Sequence, residues 1–298
     1  MSTAYPAKLL LFGEYSIMQA APALALPFWA YRANWSWESS NAKGRESSQK
    51  GLQLLINSMS SDCCLDLRGL EEDLRRGIWL QSNIPHGYGL GSSGSLVAAV
   101  YERYARGERV RGEELILTLA RIEMAFHGQS SGIDPLVSYL RKGLFWQDGR
   151  SEILAQKICL GESSRVQLFL LNTNIARQTA PLVQHYLQAC AQADFPPVAQ
   201  EALALGHQEA IRAFLAEENE ALARAFGQIS ALQYQFFQRM IPVQFKAVWQ
   251  NGLVGGSYLL KLCGAGGGGF LLGYSKNWEE TKRELAAFEL LPLALEEI

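Results

Sequence analysis

Nine consecutive residues, Gly87-Tyr88-Gly89-Leu90-Gly91-Ser92-Ser93-Gly94-Ser95, combine glycines with hydroxyl side chains just ahead of a helical pattern. Glycines let backbone N–H groups turn toward one point. A following helix adds its unpaired N-terminal N–H groups and the positive end of its dipole. Such a loop favours phosphate oxygens. The hydroxyls of Ser92 and Ser93 can donate to phosphate or ligate magnesium. A tight turn with a serine cap is the plainer alternative. A second stretch, Gly264–Gly269, holds five glycines in six positions. Glycine weakens a strand, so this density points to close approach of backbone and ligand. Both Gly89–Gly94 and Gly264–Gly269 match GxGxxG, yet neither lies in an N-terminal run of alternating strands and helices, which argues against a dinucleotide fold. No GxxxxGK[ST] loop and no HRD or DFG motif occurs.

The elements that must hold these loops can be read from periodicity. Lys8–Phe12 is an apolar run closed by Gly13-Glu14, a buried strand and turn. Trp29–Trp37 reads as a strand, and the polar Glu38–Gly51 as a solvated hairpin loop. Gly77–Ile84 is a short strand that runs through Pro85 into the first glycine loop. Ser95–Arg106 has helical spacing, with Leu96, Ala99, Val100 and Tyr104 on one side, and Glu113–His127 is a second helix. Gly143–Trp146 and Val166–Asn172 read as strands, and Ala180–Gln238 as helices divided at Pro196-Pro197. The C-terminal part reads helix, strand, glycine loop, strand, helix, strand. The class is α+β. Two domains are expected, 1–162 and 163–298, with the boundary in the polar stretch near Gly161–Arg165.

Bulk composition narrows the function. The chain has 298 residues, 48% hydrophobic and 19% charged, enough for a sizeable core and for two domains. A net charge of −2 gives no basic excess for nucleic acid or a membrane surface. The five cysteines form no CxxC and no even framework, which favours a reducing compartment. His127 has no second His or Cys at metal spacing and reads as structural. The apolar stretch Ala20–Tyr31 carries Pro22 and Pro27 and is short for a membrane span. A cytoplasmic protein is expected, and a homodimer is the assembly considered.

Three segments in order resemble the GHMP small-molecule kinases: Ala7–Tyr15 followed by Pro22-Ala23-Leu24-Ala25, then Pro85–Ser95, then Lys261–Phe270. Within that family the mevalonate kinases are most similar and the phosphomevalonate kinases next. The resemblance implies a two-domain α+β fold with the active site in the inter-domain cleft. It implies ATP and Mg2+ as cofactors, with Pro85, Gly87, Gly89, Leu90, Gly91, Ser92, Ser93, Gly94 and Ser95 on the nucleotide. A fourth segment, Glu123–Asp134, resembles a helix-borne glutamate followed by HGxxSGxD. It implies Glu123 as the magnesium ligand, Asp134 as the catalytic aspartate, and Lys8 beside it, and one hydroxyl, Ser93 or Ser92, would complete the magnesium site. Asn172–Val183 resembles a substrate-facing segment, which implies Arg177 and Thr179 on the acceptor, along with Glu14, Tyr15, Gly266 and Gly267. Ala7, Tyr15 and Gly94-Ser95 depart from the mevalonate kinase pattern, the last two toward phosphomevalonate kinases.

The implied chemistry is consistent with these residue types. Phosphoryl transfer is mostly positioning and charge neutralisation. Asp134 would take the acceptor's hydroxyl proton, Lys8 would stabilise the developing alkoxide, and Arg177 would hold an acid substrate's carboxylate. Taken singly, Glu123 reads as a surface residue, Asp134 as a turn or cap, and Lys8 as solvated. The expected activity is phosphorylation of mevalonate. Phosphomevalonate as acceptor, a silent sensor of the same fold, and a decarboxylase of the superfamily are the alternatives.

Overall fold

The structure, a computed structural model, describes residues 3–38, 42–127, 130–147, 150–160, 167–192 and 194–297. The chain divides into two compact units that interleave along the sequence: 1–8, 27–85 and 90–142 in the first, and 9–26, 86–89 and 143–298 in the second. The boundary expected near Gly161–Arg165 lies outside the described residues.

The first unit contains the start of strand β1 (Ala4–Phe12), most of β2 (Ala23–Ser36), helices α1 (Ala42–Ser58) and α2 (Leu67–Arg76), strand β3 (Trp79–Ser82), and helices α3 (Ser92–Tyr104), α4 (Gly112–His127) and α5 (Ile133–Leu140). Strands β2 and β3 are antiparallel, with Ala33 opposite Ser82 and Ser36 opposite Trp79. The segment 42–51, expected as a solvated loop, is instead the first part of α1. Its polar residues form an exposed helix face, crossed by an i,i+4 pair between Glu46 and Lys50, and only Leu52 and Leu55 are buried. Helix α2 starts where the Asp66 carboxylate accepts from the Gly69 N–H at 3.2 Å. Helix α3 is buried along Val97, Ala98, Ala99, Val100 and Tyr101. Strand β1 is tied to two helices at one carbonyl: Ser95 Oγ on α3 and Ser138 Oγ on α5 both donate to Pro6 O, at 3.0 and 2.8 Å.

The second unit contains strands β4 (Gly143–Gln147), β5 (Arg150–Leu154), β6 (Gln156–Leu160) and β7 (Leu168–Asn172), and helices α6 (Thr179–Ala191), α7 (Pro197–Leu215), α8 (Asn219–Phe236) and α9 (Val243–Val254). Strands β8 (Tyr258–Leu262) and β9 (Phe270–Ser275), helix α10 (Trp278–Glu284) and strand β10 (Leu290–Glu297) complete it. The order β6-β10-β7-β9-β8 is antiparallel at every step. The all-buried sequences of β8 and β9 account for the apolar runs on either side of the second glycine loop. Helices α7 and α8 bury Ala210, Ile211 and Phe214 and Ala225, Phe226 and Ile229, and the Phe12 ring meets Phe214 and Phe226 edge-on.

Candidate active site

In the first unit the glycine loop leads straight into α3, with Gly91 at the cap position and Ser92 and Ser93 as the first helical residues. The N-terminal N–H groups of α3 therefore open at the loop, a place suited to phosphate oxygens. Leu90 is buried, and its carbonyl accepts from the Lys8 N–H at 2.9 Å, which pins the loop to β1. Lys8 Nζ lies 2.8 Å from Asp134 Oδ1, the lysine almost buried and the aspartate about one-third exposed. Asp134 sits in the first turn of α5, and α5 packs on α3 through Gly94. A Cβ at Gly94 would stand 2.8 Å from the Asp134 carbonyl carbon and the Pro135 nitrogen, so no larger residue allows this approach.

Glu123 comes from α4 and is only 6% exposed. Ser93 Oγ donates to its Oε1 at 2.9 Å, Ser130 Oγ donates to Oε2, and Gly132 N–H donates to Ser130 Oγ at 2.9 Å. Burial, and then the charge of Asp134, push the Glu123 carboxyl up to about 7, while the two serine hydroxyls and Lys8 oppose the shift. Both carboxylate oxygens accept a hydroxyl, while Lys8 is paired with Asp134, so this buried carboxylate has a use for a cation. Hard oxygens of this kind fit magnesium, which keeps several waters and needs few protein ligands. The expectation of a surface position for Glu123 taken alone does not hold.

In the second unit Gly87–Gly89, the segment after β7, and the Gly264–Gly269 loop come together. Arg177 N–H donates to Gly87 O at 3.0 Å, Gly269 N–H donates to Ile175 O at 2.7 Å, and Thr173 Oγ1 donates to Gly269 O at 2.6 Å. The Arg177 guanidinium donates to Thr179 Oγ1 at the start of α6. It also lies so close to Gly89 (φ 76°) that a Cβ there would come within 2.3 Å of Nη2. Tyr15 donates its hydroxyl to Ala265 O at 2.6 Å and stacks on Tyr186 with centroids 4.6 Å apart. Burial raises the Tyr15 hydroxyl above its ordinary range, and the charge of Arg177 opposes this. Gly266 packs on Met240, whose carbonyl accepts from Gly267 N–H at 2.5 Å, and Gly267 faces Leu182. Glu14 is buried in an ion pair with Lys261.

The site residues read from the sequence thus fall into groups. Lys8, Leu90, Gly91, Ser92, Ser93, Gly94, Ser95, Glu123 and Asp134 share the first unit, with Pro85 between β3 and the loop. Gly87, Gly89, Arg177, Thr179, Glu14, Tyr15, Gly266 and Gly267 share the second. Sequence reading gave no role to Ser130, Lys261 or His207. Ser130 stands within the Glu123–Asp134 segment, where its hydroxyl was the available signal. Lys261 opens the Lys261–Phe270 segment, where its charge was the available signal, and His207, whose partners lie far away in sequence, carried none.

Comparison with known proteins bears on the fold. Residues 57–142 match the model of the GHMP kinases N terminal domain. The chain is 32% identical over 175 residues to mevalonate kinase of Pyrococcus horikoshii, covering 50% of this chain and 52% of that protein. The chain thus spans about half the length of that curated relative. Its fold matches L. major mevalonate kinase, solved in complex with R-mevalonate, with a TM-score of 0.62 at 16% identity, covering 98% of this chain and 96% of the other. It matches Streptococcus pneumoniae phosphomevalonate kinase, solved with phosphomevalonate and AMPPNP, with a TM-score of 0.65 at 16% identity over the whole of both chains. Among the described residues no helix is long and apolar enough to cross a membrane. Part of the chain, residues 57–142, is thus similar to the GHMP kinases N terminal domain, and its fold is the α+β fold of these solved kinases.

Proposed function

We propose that this chain is an ATP-dependent kinase that phosphorylates the hydroxyl of a small acid, with mevalonate as the acceptor. The observation that carries the reading is the Lys8–Asp134 pair, 2.8 Å apart, in the same unit as a helix N-terminus opened by glycines. Asp134 accepts the proton as the acceptor oxygen bonds to the γ-phosphorus and the bond to the ADP oxygen breaks. Lys8, paired with Asp134, stabilises the oxygen that is losing its proton. The N–H groups at Gly91–Gly94 hold the phosphates, since the Ser95 N–H is taken by the Gly91 carbonyl. Glu123 and Ser93 would hold magnesium, which supplies charge neutralisation on the phosphates when bound. Arg177 presents a planar donor fork suited to the acid's carboxylate, and Thr179 fixes its orientation. Relatives named mevalonate kinase support the acceptor.

Phosphomevalonate is the second acceptor. Tyr15 and Gly94-Ser95 favour it, whereas Arg177, the one clear cationic candidate in its segment, favours the unphosphorylated acid. A coupled ADP-release assay over mevalonate, phosphomevalonate and several sugars decides between them. Turnover with mevalonate well above phosphomevalonate is expected, and turnover with a sugar alone refutes the proposal.

A further inference from the structure

Three ionisable residues lie in the interior of the second unit: Glu14, Lys261 and His207, exposed by 1%, 0% and 0%. Lys261 Nζ pairs with Glu14 Oε1, donates to Leu262 O at 2.8 Å, and lies 5.6 Å from the centroid of the Phe12 ring. His207 Nδ1 accepts from the Gly13 N–H at 3.1 Å, which leaves its proton on Nε2, 3.7 Å from Glu14 Oε2. Burial, and then the charge of Lys261, hold His207 well below the ordinary imidazole range, so it is neutral. The set holds one negative, one positive and one neutral group. Each charge alone would be strongly disfavoured there.

A well-packed apolar pair would stabilise this interior at least as well, so stability alone does not account for a buried ion pair. Its location does. Glu14 lies in the turn after β1, and Lys261 lies in β8, three residues before Gly264. The pair therefore connects two segments 247 residues apart in sequence. The turn is strained: Tyr15, which has a side chain, is held at φ 64°. Strain of that kind persists only where the surroundings fix it. Here the Tyr15 hydroxyl bonds to Ala265 O, its ring stacks on Tyr186, and Gln233 Oε1 accepts from Leu262 N–H at 2.7 Å.

We propose that Glu14, Lys261 and His207 are positioning residues that fix the turn carrying Tyr15 against the Gly264–Gly269 loop, and that Glu14 acts through Lys261 without touching the acceptor. This rests on the kinase reading above for its substrate, though not for its geometry.

The test uses the full chain as Lys261→Met, Glu14→Gln, the double variant, and the milder pair His207→Leu and His207→Asn. Each single change in the ion pair leaves a buried charge alone, and the double variant restores much of the lost stability. Measured well below its unfolding midpoint, the double variant raises KM for mevalonate about tenfold and leaves KM for ATP nearly unchanged. Hydrogen exchange becomes faster at residues 13–17 and 263–269 and not at residues 97–101. His207→Leu shows the same pattern more weakly. An asparagine side chain keeps an acceptor for Gly13 N–H, so His207→Asn restores wild-type values. A folded double variant with wild-type exchange in both segments overturns the proposal, as does an equal rise in both KM values or no difference between the two His207 variants. If the wild type turns over no acceptor, the kinase reading fails, and exchange alone decides the positioning role. If the double variant does not fold, the His207 pair decides it.

Discussion

Glu123→Gln is the substitution whose consequences the site defines most fully. The Glu123 carboxyl titrates at about 7 in the folded chain against 4.5 when free. A carboxyl raised on folding contributes stability that is fully present below the free value and is lost as pH rises through the folded one. The difference amounts to about 3 kcal/mol between acid and alkaline conditions. A glutamine side chain keeps the shape and can accept from Ser93 while donating to Ser130, so the variant lacks this pH-dependent loss. Denaturant unfolding of both proteins from pH 4.5 to pH 8 therefore gives a stability difference that grows with pH in favour of Glu123→Gln, by up to about 3 kcal/mol. Magnesium binding with nucleotide should reverse the order, because only the carboxylate form ligates the ion. Calorimetry at pH 7 in buffers of different ionisation enthalpy should show proton release on metal binding from this group in the wild type and none from it in the variant. Parallel stability curves, or equal proton release, would refute both the burial argument and the metal assignment.

Two further substitutions probe other parts of the site. Gly94→Ala places a Cβ against the backbone of α5, so it should cost about 1–3 kcal/mol of stability and lower turnover by displacing Asp134, read by thermal melts and initial rates. Arg177→Ala should raise KM for the acid acceptor by about tenfold and leave KM for ATP close to wild type, since it removes a charged contact to one substrate only. An equal effect on both substrates counts against that placement.

How much of this was legible in the sequence depended on the range of the interactions. The glycine loop, the helix after it and the strands around Gly264–Gly269 were readable, because turn chemistry and periodicity act locally. Helix α1 was not: its buried face rests on two leucines, Leu52 and Leu55, and its other face looks like loop composition. Helix α5 was also missed. Eight residues long and following a Ser-Gly pair, it gives too short a pattern to count, so Asp134 read as a turn residue. The burial of Glu123 depends on Ser93 from another helix, and that of Lys261 on Glu14 at the other end of the chain. Side-chain pairs so distant leave no trace in spacing. The same charge that marks a solvated surface residue in sequence marks a paired interior one here.

In the proposed reaction Asp134 and Lys8 act together on one acceptor oxygen. Single-turnover ADP formation with mevalonate, measured beside ATP affinity for wild type, Asp134→Asn and Lys8→Met, tests it most directly. Asp134→Asn is expected to keep its nucleotide affinity while turnover falls by about 10²–10⁴-fold, and Lys8→Met to lose turnover without loss of fold. Near-wild-type turnover in Asp134→Asn would contradict it.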